Sequence, residues 1–576
     1  MQANKPRVLV FGATGLFGER LVRRLADAKH FSVVGVARNK TPLEKLQLET
    51  GIFTEIIDRE NEQSVALILS QLKPFAVIDC AGPFQYYGDD PYRLARQVIQ
   101  AGCHYIDIAD ATSFVVSISE LDELARRNKV LAISGASTVP AINAAVADKL
   151  TSSLPKVISI ETAIVPGNRA KRTLSVMKAI LGQIGQPYQL TRHGTQQTAY
   201  GWSDTRKIDL AIPVDNPVQG RLASLVNTPD TSIFPERYNA ETVGTYAGIE
   251  LKTFHRTLQF AGRLVRARLL PSLAPFTQTA RFIASGFEQT GSDIGGMQVS
   301  VVGENNRGQL LKRTWDLVAS DGRGPEIPTL PVSVILDKLQ HQMFEPGARH
   351  SCGEITLENL QPYFESIGAE TAITEEELQP IFKHCLGDNF NILPAPLQAF
   401  HNTAGKSVYK GRAEALGPTG FSGRLAALLI GFPGANKELP VEVTVIADNT
   451  SESWCRNFAG SVFKSRLSLH RDGYITERFN PLTMRLGLHV KDHCLHYPVT
   501  SAKLFGLIPL PRILLPKSIA HESVDSKGRF TFDVHLQTPF GARISHYRGY
   551  LVKDQQAISP PADQHLPSQR FHPSDE

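Results

Sequence analysis

Along residues 1–135 two hydrophobic rhythms take turns. Short apolar runs at 7–11, 32–37, 52–57, 76–80, 105–108 and 130–134 have the length and β-branched content of strands. Between them, 16–28 and 91–100 repeat apolar residues every three to four positions, as amphipathic helices do. Regular alternation of the two predicts βαβ units, and therefore a parallel sheet with helices on both faces.

The rhythm then changes twice. Residues 136–385 read as a helix at 141–150, a strand at 158–165 and a helix at 332–344, joined by irregular Pro/Gly/Asn-rich stretches. This predicts an α+β domain, its last stretch, 370–385, being an acidic and then helical linker. From 393 to 553 the period falls to two, with strands at 441–446, 463–469, 474–479, 484–490, 530–536 and 544–552. Arg471-Asp472-Gly473 reads as a hairpin turn. This third region is expected to be an antiparallel β domain. Residues 554–576 hold four prolines among polar residues and read as a disordered tail.

The sharpest motif is Gly12-Ala13-Thr14-Gly15-Leu16-Phe17-Gly18, directly after the first strand and at the start of the first helix. In a dinucleotide-binding (Rossmann) domain the first glycine makes the tight turn. The second lets backbone approach a pyrophosphate at the helix N-terminus, and the third lets helix and strand pack closely. The second strand ends in Arg38-Asn39-Lys40. A site for NAD usually places an acid there, whereas a cation suits the extra 2′-phosphate of NADP, so NADP is expected over NAD. Asp58, after the third strand, is a candidate for the adenine and equally a loop cap.

Ala81-Gly82-Pro83-Phe84 follows the fourth strand, and Gly102-Cys103-His104-Tyr105-Ile106-Asp107, Ser134-Gly135-Ala136-Ser137-Thr138-Val139-Pro140 and Gly322-Arg323-Gly324-Pro325-Glu326-Ile327-Pro328 come later. With the glycine motif, these resemble the saccharopine dehydrogenase-like oxidoreductases. The C-terminal region is similar to an uncharacterised bacterial family, through Trp454-Cys455-Arg456-Asn457-Phe458, Ile508-Pro509-Leu510-Pro511 and residues 528–534. The resemblance implies a nicotinamide cofactor, a substrate cleft between the first two domains, and the loop Ala81, Gly82, Pro83, Phe84 next to the nicotinamide. Ala141 stands where the family commonly has glycine, and Ala109-Asp110 where many members have Gly-Glu. These departures turn the expectation away from an amino-acid substrate.

Hydride transfer needs a proton donor or acceptor near the reacting carbon. Tyr86, Tyr105, Asp107 and Asp110 lie at the right strand ends and loops and are the catalytic candidates; for the two acids, loop capping is the rival role. His104 reads as structural. Arg169, Lys171 and Arg172 form a basic turn. No tyrosine has a lysine four residues later, which argues against the Tyr-x-x-x-Lys mechanism of short-chain dehydrogenases, though not against a non-catalytic relative of the same fold. Gly405-Lys406-Ser407 lacks the glycine that a P-loop needs five positions earlier, where Phe400 stands. His489, His493, Cys494 and His496 straddle a turn and are read as no metal site.

Composition narrows the picture. The 576 residues carry 61 Lys and Arg against 56 Asp and Glu, an excess of +5 that gives no reason to expect nucleic acid. Six scattered cysteines fit a reducing compartment, and neither a leader peptide nor an apolar run long enough to span a membrane is read. A cytoplasmic protein is expected. Residues 251–268 mix apolar and basic positions, either a helix packed on its own domain or one that touches a membrane surface. Residues 504–516 are too rich in proline for a strand and too apolar for a solvated loop. They are expected to cover an apolar ligand pocket in the third domain or to serve as an interface. The reading as a whole is an NADP-dependent oxidoreductase for a small, hydrophobic or lipid-like molecule. Its rivals are a non-catalytic NADP-binding sensor or scaffold and a lipid-binding protein.

Overall fold

The computed structural model describes residues 5–212, 217–430, 432, 434–447, 450–479 and 481–554. The expected tail lies outside these residues from 555 onward.

The N-terminal segment folds as its rhythm predicts. β1 (Arg7–Phe11), α1 (Leu16–Ala28), β2 (Ser32–Ala37), α2 (Lys40–Thr50), β3 (Phe53–Ile56), α3 (Glu62–Leu72), β4 (Ala76–Asp79), α4 (Arg93–Gln100), β5 (His104–Asp107) and β6 (Leu131–Ser134) follow in order. Across the sheet the order is 6-5-4-1-2-3, with every pairing parallel. The chain runs outward from β1 through β2 to β3, then crosses back to lay β4 on the other side of β1. That reversal opens a crevice at the carboxyl ends of β1 and β4, where ligands of such sheets bind. Val8, Leu9 and Val10 are wholly buried, because helices cover both faces.

A seventh parallel strand, Gly347–His350, adds beside β6 although it lies more than 200 residues further along the chain. The second sheet is mixed. Its order is Thr205–Ile208, Arg221–Val226, Thr242–Gly248, Lys156–Val165, Gly295–Glu304, Leu310–Ala319 and Glu370–Glu377, with one parallel pairing at its centre. One continuous apolar core joins the parallel sheet to residues of this sheet such as Val299, Trp315 and Leu317. The two sheets therefore form a single compact unit, residues 1–377. The stretch read as a linker divides: Glu370–Glu377 is the edge strand of the mixed sheet, and the helix Ile381–Leu386 packs in the core of the second unit.

The described residues of that second unit, from 378 onward, hold one antiparallel sheet of thirteen strands. The expected hairpin joins Ser461–Leu469 to Ile475–Phe479, with Gly473 at φ +75°. Phe400 stacks on Phe530 at 4.1 Å inside a core rich in aromatic rings. The cavity on that apolar face measures about 60 Å³. At roughly 10–15 Å³ per water molecule it has room for a few waters and not for an acyl chain. Residues 504–516 do not cover it as a buried flap. Phe505, Leu507, Ile508 and Ile513 are exposed, and only Leu510 and Leu515 turn inward onto the core. His489, His496 and His521 stack across three neighbouring strands without converging on a common point, while His493 turns away to the carbonyl of Ile392. No helix among the described residues is long and apolar enough to cross a membrane.

Candidate dinucleotide site

The glycine motif does three separate jobs. Gly12 sits at φ +73°, and a Cβ there would meet the Cys80 carbonyl oxygen at 2.7 Å and the Ala81 nitrogen at 2.8 Å. The turn is thus wedged against the loop after β4. A Cβ on Gly18 would stand 2.2 Å from the Gly12 oxygen, so α1 can lie on the turn only because that side chain is missing. Gly15 differs. Its Cβ would touch only the Gly12 oxygen, at 3.1 Å, and otherwise point into open space. Gly15 is the N-cap of α1, and no side chain caps the helix. Its first backbone N–H groups and the positive end of its dipole are left for a ligand.

These groups open into a cleft of about 590 Å³. Thr14, Gly15, Leu16 and Phe17 form its floor at the helix end. Arg38, Asn39 and Asp58 flank one side; Arg38 is exposed and has no acidic partner among the described residues. Asp58 also accepts the Glu60 N–H at 3.1 Å, so the loop-cap role is present as well. Ala81, Gly82, Pro83 and Phe84 line the opposite end, with Tyr86 and Asp110. Ala13 and Gly18 are buried and build the turn without lining the cleft.

A helix from the second region roofs the cleft. Leu174–Gln183 starts at Thr173, whose hydroxyl accepts the Val176 N–H at 3.4 Å. Val176, Ala179, Ile180 and Gln183 share one helical face, and that face lines the cleft. Tyr86 fits beneath it. Lys178 Nζ lies 4.1 Å from the centre of the tyrosine ring, and a Cβ on Gly182 would be 2.8 Å from the tyrosine hydroxyl. Asp110 accepts from Gln85 Nε2 at 3.0 Å, and the surrounding protein raises its carboxyl pKa.

Two of the four catalytic candidates stand elsewhere. Tyr105 is buried within β5, and Asp107 is fully buried at its end. Asp107 accepts from the Ser134 hydroxyl at 3.0 Å and from the Gly135 and Ala109 N–H groups at 2.9 Å. It clamps two loops together, and burial pushes its carboxyl up to about 7. A sheet covered on both faces buries its strand ends on either side, so proximity to the crevice in sequence did not give access to it. His104 is structural, its Nδ1 accepting the Leu131 N–H at 2.9 Å. Arg172 is held by the Asn168 side chain at 3.0 Å and closes its own loop.

The structure adds a trio that the sequence did not reveal. Asp79, at the end of β4, is fully buried and accepts from the Tyr87 hydroxyl at 3.2 Å and the Ala81 N–H at 2.9 Å. The Arg59 guanidinium lies 3.3 Å from the centre of the Tyr87 ring. Desolvation raises the Asp79 carboxyl, and the charge of Arg59 opposes the rise. Arg59 lines the cleft, yet its Nε and Nη1 are buried with no hydrogen-bond partner. A lone arginine after a strand carries no motif, so only the tertiary structure could single it out.

An uncapped helix N-terminus behind three spaced glycines, at the switch point of a parallel sheet, is the geometry of a dinucleotide site. Residues 8–137 match the family model described as saccharopine dehydrogenase NADP binding domain. The match spans the N-terminal parallel sheet and its helices. Residues 393–551 match a second model, a domain of unknown function (DUF4166). About two thirds of the chain also resembles solved structures. Saccharopine dehydrogenase (L-Glu forming) from Saccharomyces cerevisiae is 13% identical over 64% of this chain and 100% of its own, with a TM-score of 0.47. A meso-dapdh mutant from Clostridium tetani E88 is 13% identical over 63% and 99%, at 0.33. A probable dehydrogenase from Thermotoga maritima is 8% identical over 64% and 98%, at 0.32. No curated protein matches. Residues 8–137, with their parallel sheet and glycine turn, therefore carry a nucleotide-binding fold similar to that NADP-binding family model.

Proposed function

We propose that the protein is an NADP-dependent oxidoreductase acting on a small, hydrophobic molecule. The observation that carries this reading is the cleft itself: an uncapped helix N-terminus on its floor, an unpaired arginine on one flank and a tyrosine under its roof. The backbone N–H groups at Thr14 to Phe17 would hold the pyrophosphate, and Arg38 with Asn39 the 2′-phosphate. The bound nicotinamide supplies or accepts a hydride. Of this chain's own groups, Tyr86 would donate or take the proton at its hydroxyl, a role supported by its position in the cleft under the roof helix. Lys178 holds the ring, and Asp110 with Gln85 lies in the same cleft. Val176, Ala179 and Ile180 give the roof an apolar surface that excludes water and favours an apolar substrate.

The cofactor choice is tested by titrating NADPH and NADH against wild type and Arg38→Asp. Wild type should prefer NADPH, and the substitution should cost NADPH about 1.5–3 kcal/mol. Equal affinities that the substitution leaves unchanged would overturn the assignment. For the chemistry, small molecules released from purified protein are identified by mass spectrometry and offered back with NADPH. Tyr86→Phe should then slow nicotinamide oxidation by roughly 10²–10⁴ while NADPH still binds. Tight NADPH binding without NADPH oxidation in the presence of any released ligand would favour the sensor reading.

A further inference from the structure

Residues 251–287 contain six cations, Lys252, Arg256, Arg263, Arg266, Arg268 and Arg281, and no Asp or Glu. That local excess of six exceeds the +5 of the whole chain, so the rest is close to neutral. The segment folds as the helix Lys252–Arg266, a loop, a short turn at Ala274–Phe276 and the helix Thr277–Ser285. Its inner side packs on a small cluster through Leu258, Ala261, Val265, Leu273 and Ala280. The outer side is apolar as well. Phe260 is 60% exposed and Phe282 80%, and Leu269, Phe276, Ile283 and Phe287 are exposed too. An edge-to-face contact at 5.0 Å between Phe254 and Phe287 ties the end of the segment back to the first helix.

On the first helix Lys252, Arg256, Phe260 and Arg263 are spaced four, four and three residues apart, so they share one outward stripe. Lys252, Arg256, Arg263 and Arg268 are exposed and have no acidic partner among the described residues. Of the other two, Arg281 pairs with Glu288, and Arg266 lies over the Tyr200 ring at 4.3 Å. A protein partner would have to supply both an apolar surface and several acids, and a nucleic acid would leave the phenylalanines and leucine in water. An anionic bilayer meets both needs at once: headgroups for the cations and an acyl boundary for the rings.

We infer that the two-helix surface 251–287 docks on an anionic lipid bilayer. The roof helix of the cleft, Leu174–Gln183, packs against Thr277–Ser285. Docking therefore places the roof one helix away from the membrane boundary. This gives an apolar substrate a short route into the cleft.

The test uses the full-length protein and sedimentation with vesicles of phosphatidylglycerol and phosphatidylcholine, against phosphatidylcholine alone. Wild type should bind the anionic vesicles, and added salt should weaken the binding. Arg256→Gln with Arg263→Gln should lower partitioning on the order of 25-fold, at about fivefold per cation. Phe260→Ser with Phe282→Ser should lower it at least tenfold. All four side chains are exposed, so thermal unfolding and NADPH affinity should stay at wild-type values. No binding to anionic vesicles, or binding that both double variants retain, overturns the inference. It is equally overturned if wild type sediments as a dimer that the Phe260/Phe282 variant splits into monomers, since a second copy then covers the surface. Because NADPH affinity is read separately, loss of cofactor binding bears only on the cleft.

Discussion

Three glycines that look alike in the sequence carry different loads. A Cβ on Gly18 would stand 2.2 Å from the Gly12 oxygen, so Gly18→Ala must push α1 off its strand. Gly15→Val is expected to leave the fold in place and abolish dinucleotide binding, because its side chain would enter the pyrophosphate position. Circular dichroism and NADPH titration together check this; a folded Gly15→Val protein that binds NADPH at wild-type strength would reduce the motif to a turn. A second residue-scale prediction concerns Asp230. It is fully buried, accepts from Thr162 and Asn143, and has its carboxyl pushed up to about 7 by desolvation. Its folded pKa lies above its unfolded one. Its contribution to stability is therefore fully present below about pH 4 and is lost as the pH rises through about 7. Asp230→Asn keeps a neutral acceptor and does not ionise. Relative to wild type, the variant should gain roughly 2–3 kcal/mol between pH 5 and pH 8. Urea melts at the two pH values measure the gain, and an unchanged difference would show that Asp230 does not titrate in this range.

Among the elements, the roof helix Leu174–Gln183 connects the two halves of the first unit's chemistry. It lies far from the glycine motif in the chain, and Gln183, at its cleft-lining end, accepts the Asn227 N–H at 3.1 Å. The missing side chain at Gly182 makes room for the Tyr86 hydroxyl. Gly182→Val should displace the tyrosine while the pyrophosphate floor stays intact. Backbone hydrogen exchange at residues 84–87 is then expected to rise at least tenfold, with NADPH affinity within about twofold of wild type. Protection unchanged at those residues would mean that the roof does not position Tyr86.

At the scale of the molecule, the chain divides into two compact units between Glu377 and Leu378, each with its own core. The cleft belongs wholly to the first. A ligand that binds one folded unit stabilises that unit alone, by about 2.7 kcal/mol at a hundred times its Kd. Calorimetry should show two unfolding transitions, of which NADPH raises only one, and residues 378–554 expressed alone should reproduce the other. A single transition, or an equal shift in both, would contradict this independence.

The sequence by itself determined what local chemistry dictates. A continuous apolar run followed by Gly12, Gly15 and Gly18 can only be a buried parallel strand turning into a helix, so β1, α1 and the cleft floor were legible. Period-two alternation likewise announced the antiparallel unit, because alternate side chains must face opposite sides of a sheet. The tertiary structure decided everything that depends on distant segments meeting. Gly347–His350 joins the parallel sheet from beyond the mixed one, and Glu370–Glu377 is a strand rather than a linker because Leu310–Ala319 offers it an edge. Tyr105 and Asp107 are buried while Tyr86 reaches the cleft, a difference set by which helices cover each strand end. Arg59, Tyr87 and Asp79 become a group only after β3 and β4 have been laid on either side of β1 and β2. Hydrophobic periodicity is written residue by residue, whereas access to a cleft is a property of the packed whole.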